Sequence, residues 1–245
     1  MNLPRMIVFD YGHTLCYEAS FDNLRGTDAI MKYAVYNHSG LSNEAIALFS
    51  QDLFNGNARI ARKADIEVNN ILTNHFIYDY LQIGFSLSPE EIEMVFWDNA
   101  AKGVPMKNID NALRYLADNR IRSAVLSNIA FCGNNLKRRI NELLPDHTFE
   151  FIIATGDYVY RKPNKLIFDL ALRKAGLTAD EVWFCGDSVA FDLDGAYNAG
   201  MYPVWYHSEI DCFYRDKSLD TRPSYDHLYI RDWDELISML EKTKK

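Results

Sequence analysis

The sequence predicts an α/β fold: a doubly wound parallel sheet core with a helical cap domain inserted after the first strand. Short apolar runs rich in β-branched and aromatic residues recur at 6–10, 122–128, 149–155, 181–187 and 202–207. Helical patterns separate the later runs. A long block between the first run and the second has helical texture throughout.

The elements follow in order. "MIVFD" (6–10) is short, apolar and closed by a polar loop, which favours a buried strand over a helix. Helices are expected near 22–38, 43–64, 67–83 and 89–102. Ser88-Pro89-Glu90-Glu91 is a strong start for the last of these: a capping serine, a proline in the first turn, then acids at the positive end. Gly40, Gly84 and Gly103 punctuate helix ends. A block this long cannot be a loop inside a compact domain, so 16–104 is expected to form a cap over the strand end. The core then comprises 1–15 and 105–245, with helices at 107–119, 131–144, 164–175 and 190–199 between its strands. This alternation implies parallel strands and right-handed crossovers. "DWDELISMLEKT" (232–243) reads as a final helix.

Composition narrows the function. The 245 residues are 48% hydrophobic and 24% charged, as in a soluble globular protein. A net charge of −8 argues against a nucleic-acid partner, which needs a basic face. Cys16, Cys132, Cys185 and Cys212 lack metal-type spacing and read as reduced thiols, so a cytoplasmic location is expected. The N-terminus is too short and polar for a signal peptide, and no apolar run approaches the roughly 20 residues of a membrane span. No repeat or low-complexity segment is present. The sequence does not determine the oligomeric state.

Parallel strands bring their C-terminal ends together. Asp10, Ser127-Asn128 and Gly186-Asp187 should therefore converge on one crevice. Lys162 precedes Pro163 at the approach to a helix, and Asp192 lies five residues past Asp187. Carboxylates, a hydroxyl and a lysine in one crevice suit a hard cation and a phosphorylated ligand. Lysine and helix-start N–H groups neutralise phosphate charge.

At these residues the chain resembles the haloacid dehalogenase-like hydrolases, in the branch with a helical cap after the first strand. The family's four motifs appear in order as "DYGHT", "VLSN", "YRKPNKLIFDLAL" and "FCGDSVAFDLDGAYNAGM". The resemblance covers the Rossmann-like core; the cap matches in size and texture alone. It implies a magnesium-dependent phosphatase or phosphotransferase acting on a small phosphorylated metabolite. Asp10 would be the nucleophile, forming an aspartyl-phosphate. Ser127 would bond the phosphoryl group, with main-chain N–H groups near Asn128. Lys162 would hold Asp10 against the phosphoryl oxygens. Asp10, Asp187 and the carbonyl of Gly12 would hold Mg2+, with Asp192 a water-bridged ligand or a partner of Lys162.

Position 12 departs from the pattern. The family's phosphatases carry an aspartate there, which protonates the leaving oxygen. Gly12 can lend a carbonyl but no proton, which implies slow turnover or a restriction to good leaving groups. His13 is the neighbouring candidate, but adjacent side chains on an extended segment point to opposite sides. It is therefore expected to pack in the loop. Arg59, Arg62 and Lys63 read as a solvated helix face rather than a substrate site. Phe76, Tyr78, Tyr80 and Phe85 read as cap core. Two alternatives stay open: a catalytically silent phosphate-binding or regulatory protein, and a phosphonate-cleaving enzyme using a cap lysine such as Lys32 or Lys63. The Gly186-Asp187 pair speaks against dehalogenation.

Overall fold

The first apolar run forms β1 (Met6–Phe9), buried along its whole length. The structure is a computed structural model that describes residues 3–215 and 217–243; positions 1, 2, 216, 244 and 245 of the expected core lie outside the described residues. From β1 the chain passes through β2 (Cys16–Glu18), α1 (Asn23–Met31), β3 (Ala34–Asn37), α2 (Asn43–Ala61), α3 (Asn70–Leu81), β4 (Ile83–Phe85), α4 (Pro89–Ala100) and β5 (Gly103–Pro105). β5 pairs antiparallel with β2, Cys16 opposite Pro105, so the excursion leaves and returns at one place. It continues through α5 (Ile109–Asp118), β6 (Arg122–Ser127), α6 (Gly133–Leu143), β7 (Phe149–Ala154), α7 (Lys165–Ala175) and β8 (Val182–Gly186). A π turn (Val189–Leu193) leads into α8 (Asp194–Ala199), followed by β9 (Tyr202–Tyr206), β10 (Leu228–Ile230) and α9 (Trp233–Thr243).

Among the described residues, six strands form one parallel sheet in the order β10-β9-β8-β1-β6-β7. β1 lies inside it, Phe9 in register with Val125 on one side and Cys185 on the other. The chain winds outward from β1 in both directions, the doubly wound arrangement. Side chains alternate across the strands. Met6, Val8, Leu126 and Phe184 pack with Ile167, Phe168, Ala171 and Ala196 of α7 and α8. Ile7, Phe9, Val125 and Trp183 pack with Leu113, Leu136, Trp233 and Leu236 of α5, α6 and α9. Among the described residues, no helix is long and apolar enough to cross a membrane.

The excursion differs from the all-helical expectation. The helix expected over 22–38 stops at Met31, because Ala34–Asn37 pairs with Ile83–Phe85 as a small antiparallel ribbon. The ring of Tyr36 lies 2.3 Å from where a Cβ on residue 84 would stand, so Gly84 admits that pairing. α3 starts later than expected because Asn69 caps it, accepting from the N–H of Leu72 at 2.8 Å. Tyr78 and Phe85 meet edge to face in a small apolar cluster. Phe76 and Tyr80 lie on the other face of α3, exposed and stacked, which corrects their reading as core. Arg59, Arg62 and Lys63 are exposed. At α4 the capping signals hold: Ser88 N–H donates to Glu91 Oε2 at 2.8 Å. β10 escaped notice because a three-residue edge strand carries little apolar signal.

Buried polar groups join the excursion to the sheet. Glu93 of α4, fully buried, accepts from the Cys132 N–H at 2.9 Å and from Asn135 Nδ2 at 2.8 Å. Glu67 pairs with Arg161 at 3.3 Å and accepts from the Thr155 hydroxyl at 3.0 Å. Arg139 of α6 reaches back to Glu18 at 2.5 Å and to the Ala101 carbonyl at 2.7 Å.

Candidate active site

Each expected site residue sits where a parallel sheet ends or just beyond it. Asp10 follows β1, Ser127 closes β6, and Asp187 follows β8. The π turn brings in Asp192: the Leu193 N–H donates to the Ser188 carbonyl at 3.2 Å, five residues back. Such turns recur at functional sites because they re-aim one side chain of a helix. Gly186 has a local task here, since a Cβ on it would lie 2.3 Å from the Asp192 carboxyl carbon.

Lys162 is the centre of the arrangement. Its Nζ donates to Asp10 Oδ1 at 2.7 Å and to Asp192 Oδ1 at 2.5 Å, and the residue is 1% exposed. Burial pulls the ammonium pKa down, but Asp10 and Asp192 outweigh it and raise it, so the lysine stays charged. Asn128 fixes the lysine's main chain through two bonds, Nδ2 to the Lys162 carbonyl at 2.9 Å and Oδ1 from the Lys162 N–H at 2.8 Å. Its side chain is thus occupied in positioning Lys162, and any direct role at a ligand falls to the main chain nearby.

Asp10, Asp187 and Asp192 are all buried and offer oxygens within 4.8 Å of one another. Burial raises the Asp10 carboxyl, with Lys162 opposing and the Ser127 hydroxyl acting in the same direction as Lys162. Burial pushes Asp187 up to about 7, against the pull of Arg215 and with help from Asp192 and Asp10. An all-oxygen, hard donor set that retains a proton near neutrality fits a divalent cation, which would take that proton's place. Asp192 has both oxygens engaged, Oδ1 by Lys162 and Oδ2 by the Ser188 N–H at 2.9 Å. Asp10 and Asp187 each have one oxygen in an ion pair, with Lys162 and Arg215 respectively.

The loop after β9 adds residues that sequence reasoning missed. Arg215 donates to Asp187 Oδ2 at 2.5 Å and to the Asp187 carbonyl at 3.2 Å, and it pairs with Asp220. Tyr214 lies beside Gly12 and His13. The available signal was positional: "CFYRDKSLD" follows a strand whose C-terminal end faces the crevice. Cys212 in the same loop is partly exposed, whereas Cys16, Cys132 and Cys185 are buried.

His13 packs in the loop as expected, but alternation of side chains is not the reason. The segment after Asp10 is not extended, since His13 has φ +55° and the Leu15 and Cys16 N–H groups both return to the Tyr11 carbonyl at 3.0 Å. Alternation of side chains does not apply in such a turn, and His13 and Gly12 both face Tyr214. The imidazole is fully buried, and its pKa is lowered to about 4 by desolvation and then by Lys217 and Arg215. It is a neutral packing group.

Fold and site together define a doubly wound α/β protein with clustered carboxylates at the strand ends. Residues 67–205 match the haloacid dehalogenase-like hydrolase family, and the chain belongs to it. It is 27% identical over 127 residues to a glyceraldehyde 3-phosphate phosphatase of Pyrococcus furiosus, covering 49% of this chain and 50% of that one. It is 30% identical over 114 residues to the protein of that name from Methanothermobacter thermautotrophicus, covering 46% and 49%. The chain thus spans about half the length of the curated relatives it matches. Among solved structures, a HAD phosphatase from Thermococcus onnurineus aligns with a TM-score of 0.61 at 18% identity, over 98% of each chain. A 2-haloacid dehalogenase from Pseudomonas syringae aligns with a TM-score of 0.62 at 18% identity, over 98% of this chain and 99% of that one. The two neighbours carry different chemistries, so the fold does not choose between them.

Proposed function

We propose that the chain is a magnesium-dependent phosphohydrolase that works through an aspartyl-phosphate on Asp10, with 16–104 as a cap over the crevice. The observation that carries this reading is the buried lysine shared by Asp10 and Asp192 beside Asp187. Lys162 holds the Asp10 carboxylate at a fixed angle and supplies positive charge where phosphoryl oxygens would lie. Ser127, 3% exposed at the end of β6, would bond one of those oxygens. Asp10, Asp187 and the Gly12 carbonyl would hold Mg2+, with Asp192 positioning Lys162. A bound magnesium ion orients the phosphate and screens it from the anionic nucleophile. The curated relatives' shared name supports a phosphatase and makes small phosphorylated aldehydes the first substrates to try.

The test is release of phosphate from nitrophenyl phosphate with and without magnesium, in wild type, Asp10→Asn and Asp187→Asn, alongside calorimetric titration with magnesium. Expected are magnesium-dependent turnover in wild type, a silent Asp10→Asn, and an Asp187→Asn protein that is folded but no longer binds magnesium. Wild-type turnover by Asp10→Asn would overturn the nucleophile, and unchanged magnesium binding by Asp187→Asn would overturn the metal site.

A further inference from the structure

Tyr214 reaches into the crevice from outside. The residue is 58% exposed, yet its hydroxyl stands 2.9 Å from where a Cβ on residue 12 would lie. Its ring meets His13 edge to face, centroids 5.4 Å apart. The loop is tied to the end of β8 and to itself. Arg215 grips Asp187 and Asp220, and Lys217 Nζ donates to the Ser208 carbonyl at 3.2 Å, the Ser208 hydroxyl at 3.1 Å and the Ile210 carbonyl at 2.7 Å. A phenol at the tip of a tethered loop has a set position, which an acid catalyst requires.

In-line displacement at phosphorus puts the nucleophile and the leaving oxygen on opposite sides. Asp10 is buried just past β1, and the Tyr214 hydroxyl stands beside Gly12 two residues on, on the side from which a leaving oxygen opposite Asp10 could be reached. His13 cannot serve, because its ring is sealed and makes no hydrogen bond among the described residues. We propose that Tyr214 is a catalytic residue that gives its phenolic proton to the leaving oxygen, an inference that rests on the aspartyl-phosphate reading above. An Asp10 oxygen forms a bond to phosphorus as the phosphorus–oxygen bond to the leaving group breaks. The bonding pair goes to the leaving oxygen, which takes the phenolic proton and departs as an alcohol. Water then attacks the aspartyl-phosphate and loses a proton to the Tyr214 phenolate. Inorganic phosphate leaves, and both Asp10 and the phenol are restored. On this account Gly12 makes room for the phenol, and alkyl phosphates lie within reach of a chain that has no carboxylate at position 12.

The experiment compares kcat/KM for ethyl phosphate and nitrophenyl phosphate, at one pH and saturating magnesium, in wild type, Tyr214→Phe and the double variant Gly12→Asp/Tyr214→Phe. Phenylalanine keeps the ring, and melting curves verify the fold. Expected for Tyr214→Phe is a loss on the order of 100-fold on ethyl phosphate and a much smaller loss on nitrophenyl phosphate, whose leaving group needs no proton. The double variant should recover ethyl phosphate turnover, since the carboxylate takes over the vacated space. Equal losses on the two substrates, or no loss on ethyl phosphate, overturn the role of Tyr214. If wild type and Asp10→Asn turn over nitrophenyl phosphate alike, the aspartyl-phosphate reading fails and the role of Tyr214 with it. A silent Asp10→Asn with an unchanged substrate ratio overturns Tyr214 alone.

Discussion

Asn128 illustrates how a side chain can serve a site without facing a ligand. Its amide is bonded at both ends to the main chain of Lys162, at 2.9 and 2.8 Å. Asn128→Ala would leave a partly buried N–H and C=O unpaired, which costs roughly 1–3 kcal/mol. The expected outcome is a melting temperature several degrees lower and a fall in kcat larger than any change in KM, because Lys162 loses its set position. Denaturant titration and steady-state kinetics check both; a KM effect alone would return Asn128 to direct substrate contact. Asp10, Ser127 and Asp187 were legible because each lies at or just past the C-terminal end of a strand that reads as an apolar run, and Lys162 and Asp192 because of the motifs around them. The sequence alone brings Asp10, Ser127 and Asp187 to one crevice, since parallel strands share an end. It does not bring Tyr214 and Arg215 there. They sit in a loop tied to Asp187 by one ion pair and otherwise largely bonded to itself, and no periodicity marks such a path.

At the scale of elements, the strands of the core other than β10 were readable because parallel strands buried on both faces are continuous apolar runs. The excursion was read less well: β3 and β4 are short, half-exposed and flanked by helices, so helical texture masked them. The π turn was not legible either, since its extra residue becomes visible only in the bond from Leu193 back to Ser188. That turn meets β8 with no room to spare. Gly186→Ala would drive a methyl group into the Asp192 carboxylate, which Lys162 and the Ser188 N–H hold in place. Overpacking of this kind costs typically about 1–3 kcal/mol. The expected outcome is a folded but less stable protein with sharply reduced turnover, measured by melting curves and by phosphate release. A variant as active and stable as wild type would mean that the π turn yields easily.

For the whole molecule, the question is how firmly the excursion sits on the sheet. Buried polar contacts at Glu93, Glu67 and Arg139 join the two. Glu93→Ala would strip the Cys132 N–H of its side-chain acceptor and take one bond each from Asn135 and Asn70, and a buried donor left unpaired costs about 1–3 kcal/mol. The expected result is faster amide exchange in α4 and the start of α6 together, with the protection of β1, β6 and β8 retained. Faster exchange across the sheet as well would show that excursion and core unfold as one unit. The uneven burial of the four thiols gives a way to watch the other side of the crevice. Cys212 is the partly exposed one, two residues before Tyr214, while the remaining three are closed off inside the protein. A thiol-directed fluorophore would therefore settle on the loop itself, turning the native chain, with no cysteine removed or added, into an optical reporter of whether that loop is seated or lifted when a phosphate ester enters.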